Sequence, residues 1–261
     1  MTWTSVTTTS TSPRSCAEGR IGSAAQRLPG GVIAWATGRG EGDLRVVDPR
    51  PCPTPVRHRR LVDRPWTLTR QVHGASVARV DVPGGPRAEE ADGLVATHGQ
   101  AAIAVLGADC PLIGLASPEG LFAVAHAGWR GLVAGVVEAT VAALSDAGAS
   151  HLRAVLSPCI HPECYAFGAR DLETVVARLG AGVVGHTADG ALALDLPAAV
   201  AAALGHAGVE PPVLLGGCTA CEAAGFSHRA RREHERHALV LWREDASTDA
   251  PAPGAASGTR P

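Results

Sequence analysis

Three residues of this chain carry side chains that hold metals or move protons, and each stands at the edge of an apolar run. They are His73 in Gln71-Val72-His73-Gly74, Cys110 in Ala108-Asp109-Cys110-Pro111, and His126 in Val124-Ala125-His126-Ala127-Gly128-Trp129-Arg130-Gly131. Turns open where strands stop, so such junctions are common places for ligands and acid/base groups. Two imidazoles and one thiolate, with a fourth position left to water, are the composition of a catalytic zinc site; thiolate also attracts copper. No compact zinc-finger spacing links the three, so only the fold can bring them together. Three unrelated residues (a core His, a buried Cys and a turn His) would read the same way. A metal-free alternative uses the same side chains, with Cys110 as nucleophile and His126 as base of a hydrolase.

The elements that must position these residues are mixed. Short runs rich in Val, Ile and Leu, bounded by Gly, Pro or Asp, predict strands at Val32–Ala36, Ser76–Val82, Gly93–Ala96, Ala102–Leu106, Leu112–Ala116, Leu121–Ala125, Leu152–Leu156, Ala191–Asp195, Val213–Leu215 and His237–Trp242. Helices are predicted at Leu132–Ala147, Ala169–Leu179 and Pro197–Ala207. The first has a stripe of Val133, Val136, Val137, Val141 and Leu144 and stops at Gly148; the third opens on Asp195-Leu196-Pro197, a cap residue followed by proline in the first turn. The strands come in runs rather than alternating with helices. That pattern predicts an α+β fold of layered, mixed sheets flanked by helices, not a doubly wound sheet.

The chain has 261 residues, 46% of them hydrophobic but only 3% aromatic, so a sizeable core must be built of Ala, Val and Leu. A single domain over residues 30–243 is expected, between a disordered segment at 1–29 and a disordered Ala/Pro/Ser/Gly tail at 244–261. The Pro/Arg-rich stretch Asp48–Arg64 reads as an irregular surface loop. A formal net charge of −2 without a dominant basic block argues against a nucleic-acid binder. No apolar stretch long enough to cross a membrane is present, and the Thr/Ser-rich Met1–Pro13 is not a secretory signal. Seven cysteines, an odd number, in a chain too large to need a disulfide scaffold predict free or metal-bound thiols in a reducing cytoplasm. Cys218 and Cys221 have zinc-ribbon spacing but no second pair to complete it, and read as ordinary buried or site-adjacent thiols. His228, His234 and His237, with Arg229, Arg231, Arg232 and Arg236, read as a solvated basic helix face.

These segments resemble the YfiH/laccase-domain family, also called multicopper polyphenol oxidase-like proteins and, in more recent naming, purine nucleoside phosphorylases. The resemblance is carried by Gln71-Val72-His73-Gly74, Ala91-Asp92-Gly93-Leu94-Val95, Ala108-Asp109-Cys110-Pro111-Leu112 and His126-Ala127-Gly128-Trp129-Arg130-Gly131. Ser157-Pro158-Cys159-Ile160, Cys164-Tyr165, Asp195-Leu196, Cys218-Thr219-Ala220-Cys221 and Phe226-Ser227-His228-Arg229 follow in the family's order. It implies a sandwich of layered sheets flanked by helices, with metal ligands on His73, Cys110 and His126. It also implies phosphorolysis of purine nucleosides to base and ribose 1-phosphate, adenosine deamination, and phosphorolysis of methylthioadenosine. An older reading of the family is copper-dependent oxidation of phenols.

Zinc in such a site polarises a water toward hydroxide near neutral pH, which suits deamination. Arg130 is a candidate for phosphate, since guanidinium binds it bidentately. Arg39, in a Thr-x-Arg similar to the family's, is a second catalytic candidate, and Asp109 a third, placed to orient or deprotonate a water. Gln71 and Arg229 fall on the substrate side. Purine nucleosides and phosphate are the expected partners, and the chain is expected to be a monomer or a small homo-oligomer. The departures from the family pattern lie at Arg39–Asp43, Ser157, His161, Ala166 and His228. They alter the substrate wall and leave the metal triad intact. The competing readings are a copper-dependent polyphenol oxidase and a degenerate metal-binding or partner-binding paralogue without turnover.

Overall fold

Alternation along the apolar runs produces two sheets packed face to face, because each strand has something to bury on both sides. The structure, a computed structural model, describes residues 24–45, 56–80, 84, 88–97 and 99–244. In chain order the elements are β1 (Ala24–Leu28), β2 (Val32–Ala36), α1 (Val56–Leu61), β3 (Trp66–Thr67), β4 (Thr69–Arg70), β5 (Val77–Val80), β6 (Ala88–Glu90), β7 (Gly93–Ala96), β8 (Ala102–Gly107), β9 (Leu112–Ala116) and β10 (Phe122–His126). Then come α2 (Trp129–Ala134), α3 (Val136–Asp146), β11 (Arg153–Leu156), α4 (Ala169–Leu179), β12 (Val184–His186), β13 (Leu192–Leu194), α5 (Leu196–His206), β14 (Val213–Leu214), α6 (His228–Arg231) and β15 (His237–Arg243).

One sheet runs β1-β2-β15-β8-β3 and the other β14-β11-β9-β10-β7-β5; β12-β13 and β4-β6 are separate pairs. Between the two large sheets, Val32, Ala34, Ile103, Val105, Leu239 and Leu241 meet Leu94, Leu112, Phe122, Val124 and Val155. The alternate residues of the second sheet, Val95, Ile113, Leu115, Ala123 and Ala125, pack on the apolar faces of α3, α4 and α5. The alternate residues of the first sheet, Ala102, Ala104, Ala238 and Val240, are covered by Leu44, Val62, Trp66 and Leu68. The result is a mixed α+β fold of stacked layers, as the patterning predicts.

The largest departure among the helices is at Gly135. The predicted helix Leu132–Ala147 is two helices, because Gly135 takes φ +90°, a left-handed conformation that breaks the ladder between α2 and α3. α5 opens as expected, with the Asp195 side chain accepting the Ala198 N–H at 2.9 Å. The segment expected to be disordered up to residue 29 contains β1, paired antiparallel with β2; residues 1–23 and 245–261 lie outside the described residues. In the stretch expected as an irregular loop, α1 forms from Val56. Its His58 ring stacks on Trp66 at 4.8 Å and donates from Nε2 to the Leu44 carbonyl at 3.1 Å. The predicted basic helix face is not one element either. α6 ends at Arg231, where Arg232 turns left-handed, and His237 is a buried residue of β15. Burial pushes the His237 imidazole down to about 4.

Candidate metal centre

The strand order places the triad. β5, β7, β10 and β9 are consecutive neighbours in the second sheet. His126 ends β10; β7 and β9 run antiparallel to it and begin beside that end, and β5 runs parallel to β7. Residues just before β5, β7 and β9 therefore meet the last residue of β10 at one sheet end. Those residues are His73, Asp92 and Cys110. One ligand atom from each of His73, Cys110 and His126 lies within 4.8 Å of the other two.

Asp92, quoted above only as part of a matching segment, is the organiser of the site. It is fully buried, and its carboxylate accepts the backbone N–H groups of Val72 at 3.1 Å, His73 at 3.0 Å and Gly74 at 2.7 Å. The same carboxylate takes a bond from His126 Nδ1 at 2.8 Å, and the Asp92 carbonyl accepts the His126 N–H at 2.7 Å. Burial works against its charge, but the bonds from His126, Gly74 and Val72 outweigh it and hold Asp92 below the usual carboxylate range. The sequence signal was an acidic residue at the start of an otherwise apolar strand, a position where a charge survives only if it is fully satisfied.

His73 and Asp109 adopt φ +62° and +88°, left-handed conformations that cost about 1–3 kcal/mol for a non-glycine residue. The three bonds to Asp92 hold the first. The second is held by Asp109 accepting the Thr219 hydroxyl at 2.7 Å and the Arg229 N–H at 2.6 Å. Gly128 closes the hollow: a Cβ there would sit 2.8 Å from His73 Cδ2 and 3.3 Å from Cys110 Sγ.

Electrostatically the hollow is set for a cation-binding thiolate. Burial raises the Cys110 thiol, but hydrogen bonds and charge from His126 and His73 bring it down to about 6. Burial lowers the His126 imidazole, and its bonds to Asp92 and Cys110 carry it up to about 9. Because His126 Nδ1 is committed to Asp92, Nε2 is the nitrogen left for a ligand role. His73 Nε2 and Cys110 Sγ stand 4.0 Å apart. Two tetrahedral ligands of one zinc would be about 3.6 Å apart, from typical Zn–S and Zn–N lengths. The donor set and its spacing therefore fit a zinc- or copper-class ion. A carboxylate behind the histidine is the usual support for such a ligand.

The other predicted site residues divide. Arg130 lies over the Trp129 ring at 4.4 Å, is exposed, and has no ion-pair partner among the described residues. Arg229 lies over the Tyr165 ring at 4.4 Å and donates to the Ala166 carbonyl at 2.9 Å. Burial and the nearby Cys110 push the Tyr165 hydroxyl up to about 12. Trp129 packs edge-on against Phe167, and Tyr165 lies beside it. An aromatic wall under two guanidinium groups thus borders the hollow. Two further candidates are engaged by neighbouring groups of the chain itself. Gln71 donates to the Leu106 carbonyl at 2.7 Å and accepts the Leu106 N–H at 2.8 Å, so its amide clamps β8 rather than facing a ligand. Arg39 is engaged by the carbonyls of Ala223 and Gly225, by the Phe226 ring and by Glu233 at 2.5 Å, so its charge is already matched. Asp109 reaches Thr219 and Arg229 with its two carboxylate oxygens and positions the turn before Cys110.

The cysteines set aside as ordinary thiols are also regrouped. Cys164 joins Cys218 and Cys221, and the three sulfur atoms lie within 4.8 Å of one another. The sequence spacing could not reveal this, because Cys164 comes from a separate segment.

Fold and site together define a class: a layered α+β protein with an open His–Cys–His metal-type centre at one sheet end. The family model described as multi-copper polyphenol oxidoreductase laccase matches residues 56–244, and the chain belongs to that family. It is 40% identical over 176 residues to a purine nucleoside phosphorylase of Streptomyces coelicolor, covering 66% of this chain and 72% of the relative. It is 38% identical over 192 residues to one of Streptomyces griseus, covering 72% and 78%. Among solved structures, a Neisseria meningitidis protein of the DUF152 family superimposes with TM-score 0.72 at 26% identity, over 85% of this chain and 98% of that one. YlmD of Geobacillus stearothermophilus gives 0.71 at 26% identity, over 82% and 93%. Among the described residues no helix is long and apolar enough to cross a membrane.

Proposed function

We propose that this chain is a zinc-dependent purine nucleoside phosphorylase, converting nucleoside and phosphate to free base and ribose 1-phosphate, with adenosine deaminase and methylthioadenosine phosphorylase activity at the same site. The observation that carries the reading is Arg130: an exposed guanidinium without an ion-pair partner among the described residues, two residues past Gly128, which closes the His73–Cys110–His126 hollow. The names of the relatives support it. A bound zinc would be held by His73, Cys110 and His126 and would supply Lewis acidity and a lowered water pKa.

The chain's own residues supply the rest. Arg130 binds phosphate through two parallel N–H donors, with Arg229 adding positive charge from across the wall. The Trp129, Tyr165 and Phe167 rings offer a planar base an apolar, aromatic face. Asp92 holds His126 in one tautomer and fixes the backbone under His73, so the hollow is formed before substrate arrives. The metal-free Cys–His hydrolase is the second reading, because Cys110 near 6 and His126 near 9 form a thiolate–imidazolium pair at neutral pH.

Adenosine, inosine and methylthioadenosine, each incubated with and without phosphate and separated by chromatography, test both. Base released only with phosphate is expected, together with inosine formed from adenosine. Cys110→Ala is expected to remove the triad's metal and lower phosphorolysis by about a thousandfold, or about 4 kcal/mol. Turnover that survives complete removal of metal overturns the zinc reading and favours the Cys–His one. A metal-loaded chain that turns over no nucleoside overturns the phosphorylase reading.

A further inference from the structure

The same sheet end that carries the triad carries a second set of donors, and its chemistry is all sulfur. β11 and β14 are parallel neighbours beyond β9, and the segments that leave them bring Cys164, Cys218 and Cys221 together. Cys164 sits on the short turn Pro162–Cys164, its N–H bonded to the His161 carbonyl at 3.0 Å. Cys218 and Cys221 share a turn closed by the Glu222 N–H on the Cys218 carbonyl at 3.1 Å. The two segments are registered by parallel backbone pairing of residues 159 and 218, by the Thr219 N–H on the Cys159 carbonyl at 3.0 Å, and by the His161 N–H on Cys218 Sγ at 3.4 Å. Cys164 Sγ and Cys221 Sγ are 3.2 Å apart, and all three sulfurs lie within 4.8 Å. Two thiolates on one tetrahedral zinc stand about 3.8 Å apart, from a Zn–S length of about 2.3 Å. Cys218 is buried, Cys164 half-buried and Cys221 exposed, so an ion has an approach from solvent.

The surroundings suit an anionic cluster. Arg231 donates to the carbonyls of Thr219 at 3.1 Å and Ala220 at 3.2 Å, and Arg229 to Ala166 at 2.9 Å, so two cations are fixed on the loops that carry the thiols. Three thiolates around a divalent ion leave one net negative charge, which these arginines oppose.

We propose that Cys164, Cys218 and Cys221 form a second metal site, a three-thiolate centre for a zinc-class divalent cation that clamps the 159–166 segment to the 218–231 segment. On binding, each thiol gives its proton to solvent, one M²⁺ ion takes three sulfur ligands, and the fourth position stays open. No electron is transferred. The clamp bears on the substrate wall, since Tyr165 follows Cys164 and Arg229 follows Cys221 on the two tied segments. The proposal does not depend on what the triad catalyses.

The Cys110→Ala chain, purified under reducing conditions and loaded with zinc or cobalt(II) alone, isolates this centre. About one metal per chain is expected, with a thiolate-to-cobalt charge-transfer band and a raised melting temperature on zinc addition. Adding Cys221→Ser, an exposed position that leaves the core untouched, is expected to weaken binding at least tenfold and to diminish the band. Adding Cys164→Ser as well is expected to abolish it, with circular dichroism unchanged. A Cys110→Ala chain that takes up no metal overturns the proposal. So does one whose metal content survives both serine replacements, or one whose Cys164 and Cys221 are recovered as a disulfide that zinc does not prevent. In the converse variant, Cys164→Ser with Cys110 intact, metal at the triad reports separately on the reading above.

Discussion

The His73–Cys110–His126 hollow and the Cys164–Cys218–Cys221 cluster both offer three donors at one end of the same sheet, and they differ in what holds the donors. In the hollow, one donor ends a strand and two stand in the loops that lead into its sheet neighbours, and a single buried carboxylate bonds one imidazole and three consecutive N–H groups. The thiol cluster is held differently. Its donors sit on turns tied by backbone bonds, and one of them is exposed. The first arrangement is formed before a metal arrives and fits an ion kept open for chemistry. The second would gain order from an ion bound there, as structural metal sites do.

That contrast is broken most sharply at Gly128. A Cβ there collides with the His73 ring at 2.8 Å and crowds the Cys110 sulfur at 3.3 Å, and the three atoms nearest to it all belong to the triad. Gly128→Ala is expected to empty the triad and lower phosphorolysis about a thousandfold, while the thiol cluster keeps its metal. Stoichiometry by elemental analysis checks this, and unchanged zinc at the triad would falsify the preformed geometry. A smaller effect is expected from Asp92→Asn. The amide loses the charge and one accepting oxygen, so triad metal affinity should fall about ten- to a hundredfold. Stability should fall by about 1–3 kcal/mol, because buried N–H groups lose their acceptor. Competition against a chromophoric chelator and urea unfolding measure the two losses; an effect on stability alone would make Asp92 a mere fold residue.

The difference between the clusters also explains what could be read from the sequence. Strand ends were legible because apolar runs stop at polar or turn residues, and β2, β7 and β9 have their predicted limits. His73, Cys110 and His126 stand out by type at such ends. Asp92 stands at one as well, but its role depends on β7 pairing with β10 and β5, and pairing order is not written in local periodicity. The thiol cluster was hidden for the same reason: Cys218-x-x-Cys221 shows its spacing, but Cys164 joins it only because β11 and β14 are neighbours. The arginines differ in a way that residue type does not show. Arg39 and Arg130 look alike as residues, and only the Glu233 carboxylate and the carbonyls around Arg39 distinguish a spent cation from an available one. β1, β3 and α1 were missed because they are short and rest on tertiary packing rather than on a long pattern.

Proton release gives the finest separation of the two sites. With Cys110 near 6 and His126 near 9, the metal-free hollow between those values holds a thiolate and an imidazolium. A metal entering there displaces one proton, from His126. Triad affinity should therefore rise about tenfold per pH unit between about 6 and 9. It should level off above that range, where His126 is already neutral, and fall more steeply below it, where the Cys110 thiol must also deprotonate. Chelator competition on the Cys164→Ser chain at several pH values reads this slope directly, and a flat profile would show that His126 is not a ligand. The Asp92→Asn chain should level off at lower pH, because the carboxylate that raises His126 is gone. In a weakly buffered titration at neutral pH, the triad should then release about one proton per zinc, and the Cys110→Ala chain up to three. Equal proton counts would mean that the two sites do not differ in the way their supports do.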